Sequence, residues 1–200
     1  MVSFDRFGQT RKIRTISLDT NILSDIVYYL ILENMGKLDK KRGDFVIRLK
    51  DSFESVLLIL STRIKPIGIN IIRKELRRKE HLVHIYNTIF KEEKKPDKNT
   101  KQLANKYTAS MNIESIDALI MAIASVNGID IFLSWNRSDI VNEDNLKKIQ
   151  NINKERGVYF PAFMTPKEFL DRIFLAENRI LCLTQTPAPR RFHLQFSFPK

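Results

Sequence analysis

Four acidic residues stand where a solvated carboxylate is not expected, and their positions define the chemistry to look for. Asp19 closes the apolar run Ile16-Ser17-Leu18, and Asp139 follows the run Ile131-Phe132-Leu133-Ser134. Glu75 and Asp117 fall inside the apolar arcs of two helical patterns. A carboxylate withdrawn from water needs a cation, a proton or an ion-pair partner. Hard divalent cations take oxygen ligands and keep part of their water. Four convergent acids around one or two such ions can therefore orient a water and steady the leaving oxygen of a phosphodiester. His81, His84 and His193 show no zinc-ligand spacing with these acids, which argues against a zinc site.

Each acid also has a plainer reading. Asp19-Thr20-Asn21 is good turn and capping chemistry. Glu75 has Lys79 four residues on, a spacing that lets the two screen each other on one helix face. Asp117 belongs to a first helical turn, where negative charge is favoured, and Glu114 shares that position as a supporting acid or a capping residue. Asn136 and Asp139 taken singly are loop residues. Asp117 has the strongest case for a site: Ile120, Met121 and Ala124 flank it, and no basic residue lies within one turn.

The elements that would hold these residues alternate β-branched or apolar runs with longer helical ones, the pattern of an α/β fold with a parallel sheet. Strands are expected at residues 15–19, 65–69, 129–134 and 158–164. Helices are expected at 21–32, 44–62, 70–90, 101–110, 113–126, 143–156 and 169–176, with Asn21, Asn70 and Asn112 as caps. Thr165-Pro166-Lys167-Glu168 has the form of a capping box opening the last helix. Residues 91–100 read as an exposed charged connection. Asp19 and Asp139 both follow strand ends, where open parallel sheets form their ligand crevice.

Two hundred residues with 43% hydrophobic content suit one domain, expected over residues 14–183. A basic N-terminal extension would precede it at 1–13. A tail at 184–200, with three prolines, two arginines and no acid, would follow. The formal charge of +11 favours polyanionic partners. Residues 71–106 hold eleven Lys or Arg against five acids, a surplus of six. Within that segment Arg73, Lys74, Arg77 and Arg78 face away from the apolar arc, and with Arg137 they are candidates to follow a phosphate backbone beside Glu75. A solvated basic face is their plainer reading. The lone Cys182 excludes an internal disulfide and suits a reducing cytoplasm. No apolar run reaches membrane-spanning length, and the N-terminus does not have the pattern of a secretion signal.

Five short motifs occur in order between residues 15 and 170: Leu18-Asp19-Thr20-Asn21, Glu75 in the helix after the second strand, Asp117-Ala118-Leu119-Ile120-Met121-Ala122-Ile123-Ala124, Leu133-Ser134-Trp135-Asn136-Arg137-Ser138-Asp139, and Met164-Thr165-Pro166-Lys167-Glu168-Phe169-Leu170. Together they resemble a PIN domain. The resemblance implies a three-layer α/β/α sandwich with a central parallel sheet and a Mg²⁺- or Mn²⁺-dependent endoribonuclease acting on RNA. It also implies metal-site roles for Asp19, Glu75 and Asp117, with Asp139 as the fourth acid and Asn21, Ser134, Asn136 and Glu114 in support. Many members of that family are toxins paired with an antitoxin, often dimeric, and others process RNA. The chain departs from the family pattern at Ser134-Trp135-Asn136, where members commonly carry Asp at the position of Asn136. An amide supplies no negative charge, so a second ion would be held less tightly there unless Asp139 substitutes. Two rivals follow from the same residues. A phosphatase of the haloacid-dehalogenase type would need a second Asp where Asn21 stands. A catalytically weak RNA- or partner-binding module would keep the basic surface without turnover.

Overall fold

Ile16, Ser17 and Leu18 are almost completely excluded from solvent, as a strand covered on both faces should be. The chain's architecture comes from a computed structural model, which describes residues 3–4, 11–37, 43–61 and 64–173. The expected tail at 184–200, Cys182 and His193 lie outside the described residues.

A short antiparallel ribbon, β1 (Ser3–Phe4) with β2 (Arg11–Lys12), lies within the expected N-terminal extension. The central strand is β3 (Thr15–Leu18), followed by α1 (Thr20–Asn34), α2 (Gly43–Ser61), β4 (Lys65–Ile69), α3 (Asn70–Leu76), α4 (Glu80–Ile89) and β5 (Glu92–Lys94). The second half runs through α5 (Lys98–Ser110), α6 (Ser115–Val126), β6 (Ile131–Leu133), α7 (Glu143–Arg156) and β7 (Ala162–Met164). Residues 166–173 form a further helix, α8. Strands β3 to β7 make one five-stranded sheet in the order β5-β4-β3-β6-β7, with every neighbouring pair parallel.

The winding of this sheet determines where a crevice opens. From β3 the chain moves outward through β4 to β5, then returns to the other side of β3 for β6 and β7. Helices α1 to α4 pack among themselves, and α5 packs on α6 and α7. Right-handed crossovers put two such groups on opposite faces, an arrangement compatible with a three-layer α/β/α fold. The order reverses between β3 and β6. Leu18 pairs with Leu133, and Leu133 with Met164, so these three strands end level. Two further backbone bonds, Asp19 N to Leu133 O at 2.9 Å and Ser134 N to Met164 O at 3.1 Å, carry the ladder one residue past the strands. Asp19 and Ser134 therefore emerge side by side at the switch point.

The structure corrects several sequence expectations. The single helix expected over 70–90 is two helices, broken at Arg77 to Lys79. Arg73 with Arg77 and Lys74 with Arg78 are like charges four residues apart, which weakens a continuous helix. The break frees α4 to bury Leu82, Ile85, Tyr86 and Ile89. None of the expected Asn caps is used: Asp19 caps α1, while α3 and α6 begin after Ile69 and Glu114 without side-chain caps. The expected exposed connection contains β5, an edge strand of charged residues. Ion pairs from Lys65 and Lys94 to Glu92 and a 2.7 Å bond from the Asn70 amide to Glu93 hold it in place. Charge on an edge strand also blocks pairing with another chain. The Thr165 capping box forms as expected, with Thr165 N to Glu168 Oε2 at 2.8 Å and Glu168 N to Thr165 Oγ1 at 3.2 Å.

Gly68 in β4 allows Tyr86 to pack against the sheet. The Tyr86 hydroxyl lies 3.1 Å from the Ile69 carbonyl and 3.3 Å from Glu93 Oε2, and its one proton serves these two acceptors. A Cβ on Gly68 would collide with that hydroxyl and lie 2.9 Å from Tyr86 Cζ. Gly68→Ala is therefore expected to destabilise the protein by about 1–3 kcal/mol, the usual range for overpacking. Adding Tyr86→Phe should recover part of the loss in a urea titration. A Gly68→Ala protein as stable as wild type would show that no such close approach exists.

Candidate active site

Asp19 is 7% exposed at the corner where β3 becomes α1, and both of its carboxylate oxygens are engaged. Oδ1 accepts from Thr20 N at 2.7 Å, while Oδ2 accepts from Asn21 Nδ2 at 2.9 Å and from the Ser134 hydroxyl at 2.6 Å. Burial pushes the Asp19 pKa up, the Ser134 and Thr20 bonds pull against it, and the charge of Glu75 adds to the rise. The loop after β6 is locked to this corner. Asn21 Oδ1 accepts from Trp135 N at 3.2 Å, and Ser134 Oγ accepts from Asn136 N at 2.9 Å.

Asn136 links the corner to α6. Its amide donates to Asp117 Oδ2 at 2.8 Å, and its Oδ1 accepts from Asp139 N at 3.1 Å and from the Ser138 hydroxyl at 2.7 Å. Asp117 is half-buried in the first turn of α6. Its pKa is pushed up to about 7, first by burial, then by the charges of Asp19, Asp139 and Glu114, with a hydrogen bond to Asp139 acting in the same direction. The helix N-terminus favours the ionised form but does not outweigh these effects.

Glu75 differs from its expected setting. It is exposed rather than buried in an apolar arc, and its Oε2 accepts from the Thr20 hydroxyl at 2.9 Å instead of pairing with Lys79. The early end of α3 accounts for the difference, because an apolar arc running from residue 70 to 90 requires one continuous helix. Glu114 is likewise exposed and acts on Asp117 through its charge. Arg73, Lys74 and Arg77 line a cavity of about 310 Å³ with Asn70 and Val83. Arg78 and Arg137 are exposed, the first between α3 and α4 and the second in the turn beside Asn136.

Asp19, Glu75, Asp117 and Asp139 thus lie at one end of the sheet and repel pairwise, Asp19 with Glu75 and Asp117, and Asp117 with Asp139. Among the described residues, no Lys or Arg lies at ion-pair distance from Asp19 or Asp117. Among the described residues, no three His, Cys, Asp or Glu side chains are close enough to share an ion as they stand. Mg²⁺ keeps several waters and is commonly bound by one or two carboxylates, so an all-protein cage is not required. The oxygen donors fit a hard divalent cation, and the uncompensated charge at the cluster favours one.

No protein-family model matches the chain, and no curated protein matches it significantly.

Two other buried acids escaped the sequence reading. Asp25 in α1 is 7% exposed and pairs with Arg48 Nε at 3.2 Å, with the Ser52 hydroxyl 3.3 Å away. Ser52 Oγ in turn accepts from the Trp135 indole N–H at 2.9 Å. The signal was an acid in an otherwise apolar helix, the same one that marks Asp117. Asp130 holds the opposite end of β3, where its Oδ2 accepts from Arg14 N at 2.9 Å and Thr15 N at 3.0 Å. No pattern in the sequence distinguishes Asp130 from a turn residue.

The Asp117 pKa gives a stability test. Folded Asp117 holds its proton up to about pH 7, whereas an unfolded Asp releases it near 3.8. Between those values the folded chain binds more protons, so stability falls as pH rises through the window and stays low above it. Metal-free protein should therefore melt at a higher temperature near pH 5 than near pH 8. Asp117→Asn should flatten that difference, and an unchanged pH profile in the variant would assign the effect to other groups.

Proposed function

We propose that this protein is a metal-dependent endoribonuclease on a PIN-like α/β/α fold. Asp19, Glu75, Asp117 and Asp139 would form its acidic centre, with Mg²⁺ or Mn²⁺ as the cofactor. The observation that carries the reading is the state of Asp117, a carboxyl pushed to about 7 by burial and by the acids around it. A group so placed holds either a proton or a cation.

A divalent ion bound there would polarise the phosphodiester and stabilise charge on the leaving oxygen. The chain's own residues have separate tasks. Ser134, Asn21 and Thr20 N hold the Asp19 carboxylate in one orientation. Asn136 does the same for Asp117, and the Thr20 hydroxyl holds Glu75. Hydrolysis joins a water oxygen to phosphorus as the bond to the leaving oxygen breaks, and the water proton passes to a base. A carboxylate of the cluster that does not itself hold the ion would accept that proton. The basic segment over residues 71–106 and the formal charge of +11 suit a polyanionic substrate. A role as the toxin of a toxin–antitoxin pair, as a dimer, or as an RNA-processing enzyme belongs to this same proposal.

One observation favours a catalytically weak RNA-binding module instead. Asn136 occupies an Asp117 oxygen with an amide and brings no charge of its own. Cleavage assays decide between the two. Asp19→Asn and Asp117→Asn change little volume, so both variants should keep a folded circular-dichroism spectrum. Each should lose at least about 100-fold in Mn²⁺-dependent cleavage of single-stranded RNA if the acids organise the reaction. Chelator-insensitive cleavage, or full turnover in both variants, would overturn the proposal. Tight RNA binding with no cleavage by wild type would establish the module.

A further inference from the structure

The helix that carries Glu75 presents a second feature on a neighbouring side. Asn70, Arg73, Lys74 and Arg77 of α3, with Val83 of α4, surround a cavity of about 310 Å³, which leaves room for a phosphate with part of its sugar. Arg73 has an acid behind it. Its Nε lies 4.0 Å from Glu93 Oε2, and Glu93 is itself fixed by the Asn70 amide at 2.7 Å and the Tyr86 hydroxyl at 3.3 Å. Gly68 makes room for that tyrosine. At 4.0 Å the Glu93–Arg73 approach is a charge–charge contact without a hydrogen bond, so the guanidinium keeps its donors for the bidentate contact that it makes with phosphate. Among the described residues, Lys74 and Arg77 have no acidic partner at ion-pair distance. Three cations thus border one small cavity, and a single half-buried acid lies beside one of them.

We infer that this cavity is a phosphate subsite that grips the RNA backbone a short stretch of strand away from the acidic centre. The identity of the ligand as RNA rests on the nuclease reading. Glu75, on the same seven-residue helix, reaches the acidic corner through Thr20, so one short helix borders both the cavity and the acids. No aromatic side chain lines the cavity and the Asn70 amide is already engaged by Glu93, so the cations meet the strand through phosphate rather than through stacked bases. The subsite would hold the strand by a phosphate that is not cleaved, so that binding energy from a remote group positions the scissile one.

The test is fluorescence anisotropy of labelled oligouridylate and oligoadenylate in EDTA, which measures binding without cleavage. The proteins are wild type, the double variant Arg73→Gln/Arg77→Gln, and the control Arg156→Gln at the far end of α7. All three substituted residues are exposed, so folding should be unaffected. The double variant should bind both oligonucleotides about tenfold more weakly, the scale of lost charge-assisted bonds. Its log–log salt slope should be shallower by about 0.7, the value for one single-strand phosphate. The control should match wild type. An unchanged slope, a loss confined to one oligonucleotide, or an equal loss in the control would overturn the subsite. So would a double variant that loses binding to a polyglutamate peptide but retains RNA, which would assign the cavity to an acidic polypeptide. Mn²⁺-dependent cleavage is read separately. Absence of Asp19-dependent cleavage alongside the expected binding change would remove the nuclease and leave the subsite, and the reverse pattern would do the opposite.

Discussion

A nearly buried carboxylate at the switch point of the sheet is the constraint on which the rest of the site depends. Asp19 could not remain at 7% exposure without acceptor sites filled from three directions, and the donors come from two parts of the chain. Thr20 and Asn21 belong to the turn into α1, and Ser134 to the exit of β6. Asp19 therefore ties the first strand–helix corner to the strand that follows it in space but lies 115 residues later in sequence. The level strand ends make this tie geometrically cheap. Because Leu18 and Leu133 are in register, Asp19 and Ser134 need no loop rearrangement to meet.

The fold treats its buried acids in two ways, and the contrast gives the acidic centre its meaning. Asp25 is answered by Arg48, and Asp130 by backbone amides of β3, so each is satisfied within the protein. Burial still raises the Asp25 pKa, with Arg48 pulling it back. Among the described residues, Asp19 and Asp117 receive hydrogen bonds but no cationic partner, and their mutual repulsion is left in place. A buried charge with a built-in partner is a structural element, whereas acids left without one are what the proposed metal centre rests on.

Much of this was legible in the sequence, for reasons that also explain the failures. Asp19 and Asp117 stood out because an acid interrupting an apolar run can be seen locally, and the strand–helix alternation gave the α/β class with its parallel sheet. The capping box at Thr165 is a four-residue pattern and was equally visible. Glu75 was placed on the right helix but in the wrong environment. Periodicity alone could not reveal that the repulsive Arg77-Arg78-Lys79 stretch ends α3 and that Glu75 turns toward Thr20. Strand β5 has no apolar residue and owes its place to cross-strand partners such as Lys65, which no single window contains. The pairing of Asp25 with Arg48 spans 23 residues and two helices, beyond the reach of any spacing rule.

Trp135 has a consequence of a different kind. Its backbone N–H is held by Asn21 at the acidic corner while its indole N–H reaches Ser52 on α2, beside the Asp25–Arg48 pair. The chain contains one tryptophan, and it occupies this junction. The protein thus carries an intrinsic fluorophore wired to both sides of its crevice. Its emission reports on the α1–α2 hairpin and the Ser134–Asp139 loop together, with no background from elsewhere in the fold.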